Sequence, residues 1–407
     1  MPRVGTGVSP VQPERSSVES GNYAIFLLSR AFSDSSQPGF HNLQSIMPPA
    51  VAPGEIERAA QLLRAGRLVA FPTETVYGLG ANALDTEAVA RIYAVKRRPH
   101  TSPLIVHVAS IEMAQSLVVN WPEAAERLAR QFWPGPLTLV LAKAHGAADA
   151  FLRLRSGSRP SESSSTASSW KIPDIVTANL PTVGLRMPAH PIASQLIRAA
   201  GVPLAAPSAN RFTELSPTTA EHVRRSLGSD VDFILDGGPC QVGIESTVLS
   251  LADSELNEPE LNKPRLNQQR PVLLRPGGIS RSELEAIVGP LASMPEIQTG
   301  AHPSPGLHPR HYSPRTPMYL VTNGKLPDHG QSQQKRQGIY LQHQHAPSRA
   351  DIVIHQMPHS AADYAAALYD MLHQADTGNY SWIAVDTPPR TPEWEAVHDR
   401  LRRAATP

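Results

Sequence analysis

The chain reads as an α/β protein, a twisted mixed sheet with flanking helices followed by a smaller Rossmann-like α/β unit. Three observations predict it. From residue 54 onward, short apolar runs alternate with stretches of helical spacing. The runs fall at irregular intervals, which favours a mixed sheet over an all-parallel one. A Pro-rich stretch at 289–316 then divides the alternation into a large set and a small one. Length agrees, since 407 residues suggest two or three domains, and two unequal ones fit.

Residues 1–53 mix Ser, Pro, Gln and Gly with little periodicity and read as a disordered leader, with Met47 as a second candidate start. A transit peptide is the rival reading, against which Glu14, Glu19 and Asp34 count. A catalytic-size domain is expected over 54–288. Ile56, Ala59, Ala60, Leu62 and Leu63 form an apolar helical stripe that Gly66 ends, and the strand Leu68–Phe71 follows at once. Residues 71–82 read as a rigid loop offering donors to a small ligand. Next come a helix with Asp85 as N-cap running to Arg97, a strand Leu104–Val108, helices across 110–131 and a strand Leu137–Ala142. Further strands are expected at Thr182–Arg186, Val202–Ala206, Phe233–Leu235, Ser246–Leu251 and Val272–Arg275, with helices near 191–200, 218–227 and 280–288. A Ser-rich insert at 155–169 and a polar excursion at 253–270 interrupt the layering. After the 289–316 linker, residues 317–407 supply strands at Met318–Val321, Gly338–Leu341, Ile352–Ile354 and Trp382–Val385 and helices near 360–374 and 392–404.

Composition excludes several classes of protein. Lys+Arg 37 against Asp+Glu 36 leaves a net charge of +1, so any phosphate chemistry must be local. The one cysteine, Cys240, can form neither an internal disulfide nor a cysteine zinc cluster, which points to a reducing, cytoplasmic setting. No run approaches the roughly 20 apolar residues that span a bilayer, so no membrane association is expected. There is no Walker loop, no G-x-S-x-G elbow and no H-E-x-x-H. The pairs His308/His311 and His343/His345 are too loosely framed for a metal, and no protein-held metal is expected.

What remains is a series of hydroxyl-bearing and cationic turns at strand ends, where open α/β sheets bind ligands. Gly78-x-Gly80-x-x-Ala83 formally matches a dinucleotide fingerprint, but six residues separate it from the strand and Lys96-Arg97-Arg98 stands where an acidic residue belongs. Lys96 and Arg98, at a helix end stiffened by Pro99 and Pro103, offer a compact charge and a planar fork suited to polyphosphate. Thr182 and Arg186 lie on one strand face, and an Arg186 so placed needs an anion. Ala205-Ala-Pro-Ser-Ala-Asn210 is an anion-nest candidate, and Ser216 opens a helix close behind it. Gly243-Ile-Glu-Ser-Thr-Val248 and Leu274-Arg-Pro-Gly-Gly278 complete the set.

Pro72-Thr-Glu-Thr-Val-Tyr-Gly-Leu-Gly80, Lys96-x-Arg-Pro99, Ser208-Ala-Asn210 and Glu245-Ser-Thr-Val248 together resemble the YrdC family. With Ser304-Pro-Gly…Arg-His-Tyr-Ser-Pro314 and the small C-terminal unit, the plan over about 54–405 looks like the family's two-domain threonylcarbamoyl-AMP synthase form. The resemblance implies a nucleotidyltransferase making threonylcarbamoyl-AMP from L-threonine, bicarbonate and ATP, with Mg²⁺ accompanying ATP. Pyrophosphate leaves, and the product goes to a threonylcarbamoyl transferase complex that modifies an adenosine of tRNA; a weak contact with tRNA itself is a further expectation. It also implies threonine contacts from Thr75, His107, Arg186, Ser246 and the backbone of Ala206. The ATP contacts would be Lys96, Arg98, Ser102, Thr182, Ser208, Asn210, Ser216 and Arg275, with Tyr312 of the linker closing over the site and Lys96 and Arg98 stabilising the transferring phosphoryl group. The chain departs from the family pattern in having Arg97 where Gly is usual, Ser102 where Asn is usual and His308 where Lys is common. The alternatives are an RNA-binding module without adenylate-forming activity, and a carbamoyl-handling maturation factor, whose zinc-finger and acylphosphatase-like domains are absent from this sequence.

Overall fold

The computed structural model describes residues 51–144, 170–252, 270–293, 311–326, 337–348 and 352–405, all within one unit, Met47–Pro407. The leader up to residue 50, the Ser-rich insert, residues 253–269 and linker residues 294–310, His308 included, lie outside the described residues.

The first helix, α1 (Pro53–Arg64), starts one residue inside the stretch read as leader, because Pro53 supplies the preset φ of a first turn and the Glu55 carboxylate accepts the Ala52 N–H at 3.1 Å. There follow β1 (Val69–Phe71), β2 (Gly78–Asn82), α2 (Thr86–Lys96), β3 (Ile105–His107), α3 (Ile111–Ser116), α4 (Glu123–Phe132) and β4 (Leu137–Ala142). The large set continues with β5 (Thr182–Arg186), α5 (Pro191–Ala200), β6 (Leu204–Ala205), α6 (Ala220–Leu227), β7 (Phe233–Ile234), β8 (Thr247–Ser250), β9 (Val272–Arg275), α7 (Arg281–Val288) and β10 (Ala292–Ser293). Its ten strands form one mixed sheet in the order β10-β9-β8-β4-β5-β3-β6-β2-β1-β7.

Two elements correct the sequence reading. Residues 78–82 are a strand, not part of the loop, and the linker begins with β10, which pairs with β9 in parallel. The 78–82 segment, Gly-Leu-Gly-Ala-Asn, has no β-branched or aromatic residue to mark it, yet it pairs with both β1 and β6. Its glycines serve packing: a Cβ on Gly80 would meet the Phe71 ring at 2.7 Å. The dinucleotide fingerprint is therefore not a phosphate loop.

The smaller set comprises β11 (Met318–Val321), β12 (Ile339–Gln342), β13 (Val353–Gln356), α8 (Ala361–Thr377), β14 (Ile383–Asp386) and α9 (Glu395–Ala404). Its four strands are parallel in the order β11-β14-β12-β13. The ends of β12 and β14, where such a sheet commonly receives a ligand, are occupied by the protein itself. The buried Asp386 carboxylate accepts the backbone N–H groups of His343, Gln344 and His345 at 3.3, 2.7 and 2.7 Å. Helices α8 and α9 cover one face, burying Tyr364, Leu368, Leu372, Val397 and Leu401 with Val76, Leu215 and Ile244 of the large part in a shared apolar cluster.

Candidate active site

Parallel pairing of β3 with β5 sets His107 beside Arg186, and antiparallel pairing of β3 with β6 carries the chain on to Ala206, whose N–H bonds the Ile105 carbonyl at 2.9 Å. At the other side, Arg275 ends β9 and Ser246 precedes β8, and the Arg275 Nε and Nη2 donate to the Ser246 carbonyl at 3.0 and 2.9 Å. A cleft opens between these strand ends. Its described lining includes Thr75, Arg98, His107, Arg186, Ala206, Ser208, Ser246, Arg275 and Tyr312 from the sequence-predicted set. It also includes Thr73, a hydroxyl of the donor-bearing loop, His311, half of the loosely framed histidine pair, and Glu245, for which the sequence offers no role.

The loop wall is organised by Thr73. Its hydroxyl donates to the Val76 carbonyl at 2.6 Å and lies 2.9 Å from the Thr75 hydroxyl. Since Thr73 has spent its one proton, Thr75 donates to it, leaving the Thr75 oxygen as an acceptor toward the cleft. Arg186 does meet an anion, but an internal one: Nη2 donates to Glu74 Oε1 at 2.7 Å, while Glu74 Oε2 accepts the Ala189 N–H at 3.0 Å. Both partners of this ion pair are buried. A ligand carboxylate would share Arg186 with Glu74 rather than occupy it alone.

Arg98 is fixed by donation from Nε to the Ser102 carbonyl at 3.3 Å and from Nη2 to the Pro103 carbonyl at 3.1 Å, with its Cζ 5.7 Å from the Phe212 ring centroid. Burial lowers its pKa to about 10, so it remains cationic at neutral pH. The preceding Arg97 caps α2 in the left-handed conformation, φ 54° and ψ 39°. This is the position where Gly is usual, and the geometry explains why. Left-handed backbone costs a non-glycine residue roughly 1–2 kcal/mol, against about 0.4–1 kcal/mol for the extra freedom of Gly in the unfolded chain. Arg97→Gly is therefore expected to stabilise the protein by up to about 1 kcal/mol, read as a higher urea midpoint. A lower midpoint would contradict the strain.

Five predicted residues do not line the cleft. Lys96 is fully buried behind it, its Nζ bonding the carbonyls of Ser208 (2.6 Å) and Asn210, so it braces the 208–210 turn instead of facing a ligand. Burial, then the nearby Arg98, hold its pKa well below the usual lysine value. Asn210 Nδ2 donates to the carbonyls of Arg211 and Glu214 at 2.9 and 2.8 Å. Ser102 contributes its carbonyl to Arg98, and the Ser216 hydroxyl donates to Glu245. Thr182 lines a small neighbouring cavity with Thr138 and Gly184, separated from the main cleft by Ile105, which borders both.

Two linker residues, His311 and Tyr312, line the cleft. Tyr312 is buried in a left-handed conformation, φ 61°. Its neighbours tie it down on both sides, Ser313 N–H to the Thr213 carbonyl at 2.9 Å and His311 N–H to the Arg403 carbonyl at 3.4 Å.

Two histidines face the cleft without a partner on Nδ1, His107 and His311. Burial, then Arg186, lower the His107 pKa to about 3; burial, then Arg98, push His311 well below its usual value. Both are neutral in the folded state at pH 7, whereas in the unfolded chain they titrate near 6.5. The unfolded state thus binds more protons, and stability is lost as pH falls below about 6.5, for His107 down toward 3, at up to about 1.4 kcal/mol per pH unit for each histidine. The urea midpoint should drop between pH 7 and 5.5, and less steeply in His107→Gln. Equal slopes for the two proteins would contradict the assignment.

Among the described residues no group of three or more His, Cys, Asp or Glu side chains could hold a metal, and Glu245, the one carboxylate lining the cleft, is already engaged by Ser216, Tyr369 and Arg400. The donor set does not suit a protein-held Mg²⁺.

Arginines and hydroxyls gathered at strand ends of an open α/β sheet define an anion-binding enzyme cleft suited to acting by positioning and charge. The comparisons make the class specific. Residues 61–159 and 163–259 match the Sua5/YciO/YrdC family model, described as telomere recombination, and residues 279–406 match the model of the threonylcarbamoyl-AMP synthase C-terminal domain. The chain belongs to this family, with both of its domains. It is 38% identical over 368 residues to the threonylcarbamoyl-AMP synthase of Bacillus subtilis (strain 168), covering 86% of this chain and 93% of that one. It is 34% identical over 417 residues to that of Schizosaccharomyces pombe, covering 92% and 93%. The crystal structure of Pyrococcus abyssi Sua5 complexed with L-threonine superposes with a TM-score of 0.69 at 34% identity, covering 86% of this chain and 94% of that one. No helix of the described residues is long and apolar enough to cross a membrane.

Proposed function

We propose that the protein is a threonylcarbamoyl-AMP synthase, converting L-threonine, bicarbonate and ATP to threonylcarbamoyl-AMP, pyrophosphate and water. The observation that carries this is one cleft lined both by Arg186, His107, Thr75, Ala206 and Ser246, the threonine set, and by Arg98, Ser208 and Arg275 of the nucleotide set. L-Threonine contacts the first set, its carboxylate on Arg186 and its ammonium near the Thr75 oxygen and the Ala206 backbone. ATP, entering as its Mg²⁺ complex with the ion held by phosphates and water, contacts the second. Lys96, Asn210, Ser102 and Ser216 act on ATP indirectly, by bracing the walls.

The threonine nitrogen, carboxylated by bicarbonate with loss of water, presents a carbamate oxygen to the α-phosphorus. The new P–O bond forms as the bond to the β,γ-pyrophosphate breaks. Charge grows on the phosphoryl and leaving oxygens, and fixed guanidinium groups are placed to meet it. The cleft, at about 50 Å³, holds only a few waters, so its walls have to part to admit a nucleotide. The product goes to a tRNA-modifying threonylcarbamoyl transferase, in a cytoplasmic setting. The test is pyrophosphate release with ATP and bicarbonate, comparing L-threonine, L-serine and no amino acid. Release dependent on L-threonine supports the reading, and equal release in all three overturns it.

A further inference from the structure

We propose that Arg400, on α9 of the small-sheet part, is a positioning residue for the nucleotide side of the cleft, acting by neutralising and aiming Glu245. The inference rests on the reading of that side as an ATP site. Glu245 is a buried carboxylate lining the same cleft as Arg98 and Arg275. Left to itself it would repel a triphosphate and compete with it for those guanidinium groups. Instead its oxygens are taken up from behind. Arg400 Nε donates to Oε2 at 2.7 Å, the Tyr369 hydroxyl donates to Oε2 at 3.1 Å, and Ser216 donates to Oε1. Arg400 is itself fully buried and held in place, with Nη1 on Asp399 Oδ2 at 2.6 Å and Nη2 on the Pro276 carbonyl at 3.0 Å.

The same two helices hold the rest of this wall. The Arg400 Cζ lies 5.3 Å from the Tyr312 ring centroid, and His373 Nε2 is 3.1 Å from the Ser216 carbonyl. Gly243, at φ +73°, lets the loop leading to Glu245 press on α8, where a Cβ would come within 2.5 Å of Ala366 Cα. Although burial alone would raise the Glu245 pKa, Arg400 and Arg275 hold it below its usual value, so the carboxylate is charged at neutral pH. With its own sheet end closed by Asp386, the small part contributes α8 and α9 to its neighbour's site.

Steady-state pyrophosphate release on the full chain tests this. Arg400→Met removes the ion-pair partner of Glu245 and leaves the carboxylate to draw on Arg275, so it should raise the KM for ATP on the order of tenfold while leaving the KM for L-threonine within about twofold. Removing the charge as well, in Glu245→Gln/Arg400→Met, should return the KM for ATP to within about threefold of the parent value. A parallel rise in both KM values, or a double variant no better than the single one, overturns the proposal. Should Arg400→Met fail to fold by circular dichroism, Tyr369→Phe removes one donor from Glu245 and should raise the KM for ATP by about two- to threefold; an unchanged value then overturns it. Failure of the functional reading looks different, because the unaltered protein would itself show no threonine-dependent release.

Discussion

Arg98→Ala is expected to lower the turnover number for threonine-dependent pyrophosphate release by on the order of 10²-fold or more, as loss of a preorganised electrostatic stabiliser does. Arg98 is pinned by the Ser102 and Pro103 carbonyls and lines the cleft that Arg275 also lines. Its charge is in place before the phosphoryl group becomes more negative, and no side chain has to reorganise during the reaction. Arg98→Lys keeps a charge but loses the two-point anchoring, so an intermediate rate is expected. A near-normal rate in Arg98→Ala would remove the residue from the chemistry.

The second large effect is on stability and threonine binding together. Arg186→Met breaks a buried ion pair and leaves Glu74 charged without its partner, a change that costs about 3–5 kcal/mol. It should also raise the KM for L-threonine by about 10²-fold, through loss of a charge-assisted contact to the carboxylate. Glu74→Gln/Arg186→Met separates the two effects. Urea denaturation should show most of the stability recovered, since no unpaired charge remains, while the KM for L-threonine stays high. Recovery of both would mean that Arg186 serves only the fold.

The strands carrying the site were legible because they are short β-branched or leucine-rich runs ending in Pro, Gly or small residues, and sheet pairing then brings those ends to one edge. β2 was not legible, because Gly78 and Gly80 are there to admit the Phe71 ring, a tertiary demand with no local signature. Arg186 was correctly read as needing an anion, but Glu74, 112 residues away in sequence, could not be named as the partner. Lys96 was read as facing phosphate; it sits on the last turn of α2, and only the packing of the 208–210 turn against that helix shows that its ammonium is turned inward. The Arg400–Glu245 pair joins residues 155 apart, one on α9 and one in the loop before β8, so no spacing in the chain could have announced it. Arg97 stands between these cases. Its departure from the usual Gly was visible in the sequence, and its left-handed backbone supplies the reason.

The central claim is that one cleft seats a triphosphate against an amino acid, and a crystal structure with a non-hydrolysable ATP analogue and L-threonine tests it most directly. The account predicts both ligands in that cleft, the amino-acid carboxylate within hydrogen-bond reach of Arg186 and the phosphates against Arg98 and Arg275. Nucleotide bound elsewhere, with no phosphate within reach of Arg98 or Arg275, would contradict it.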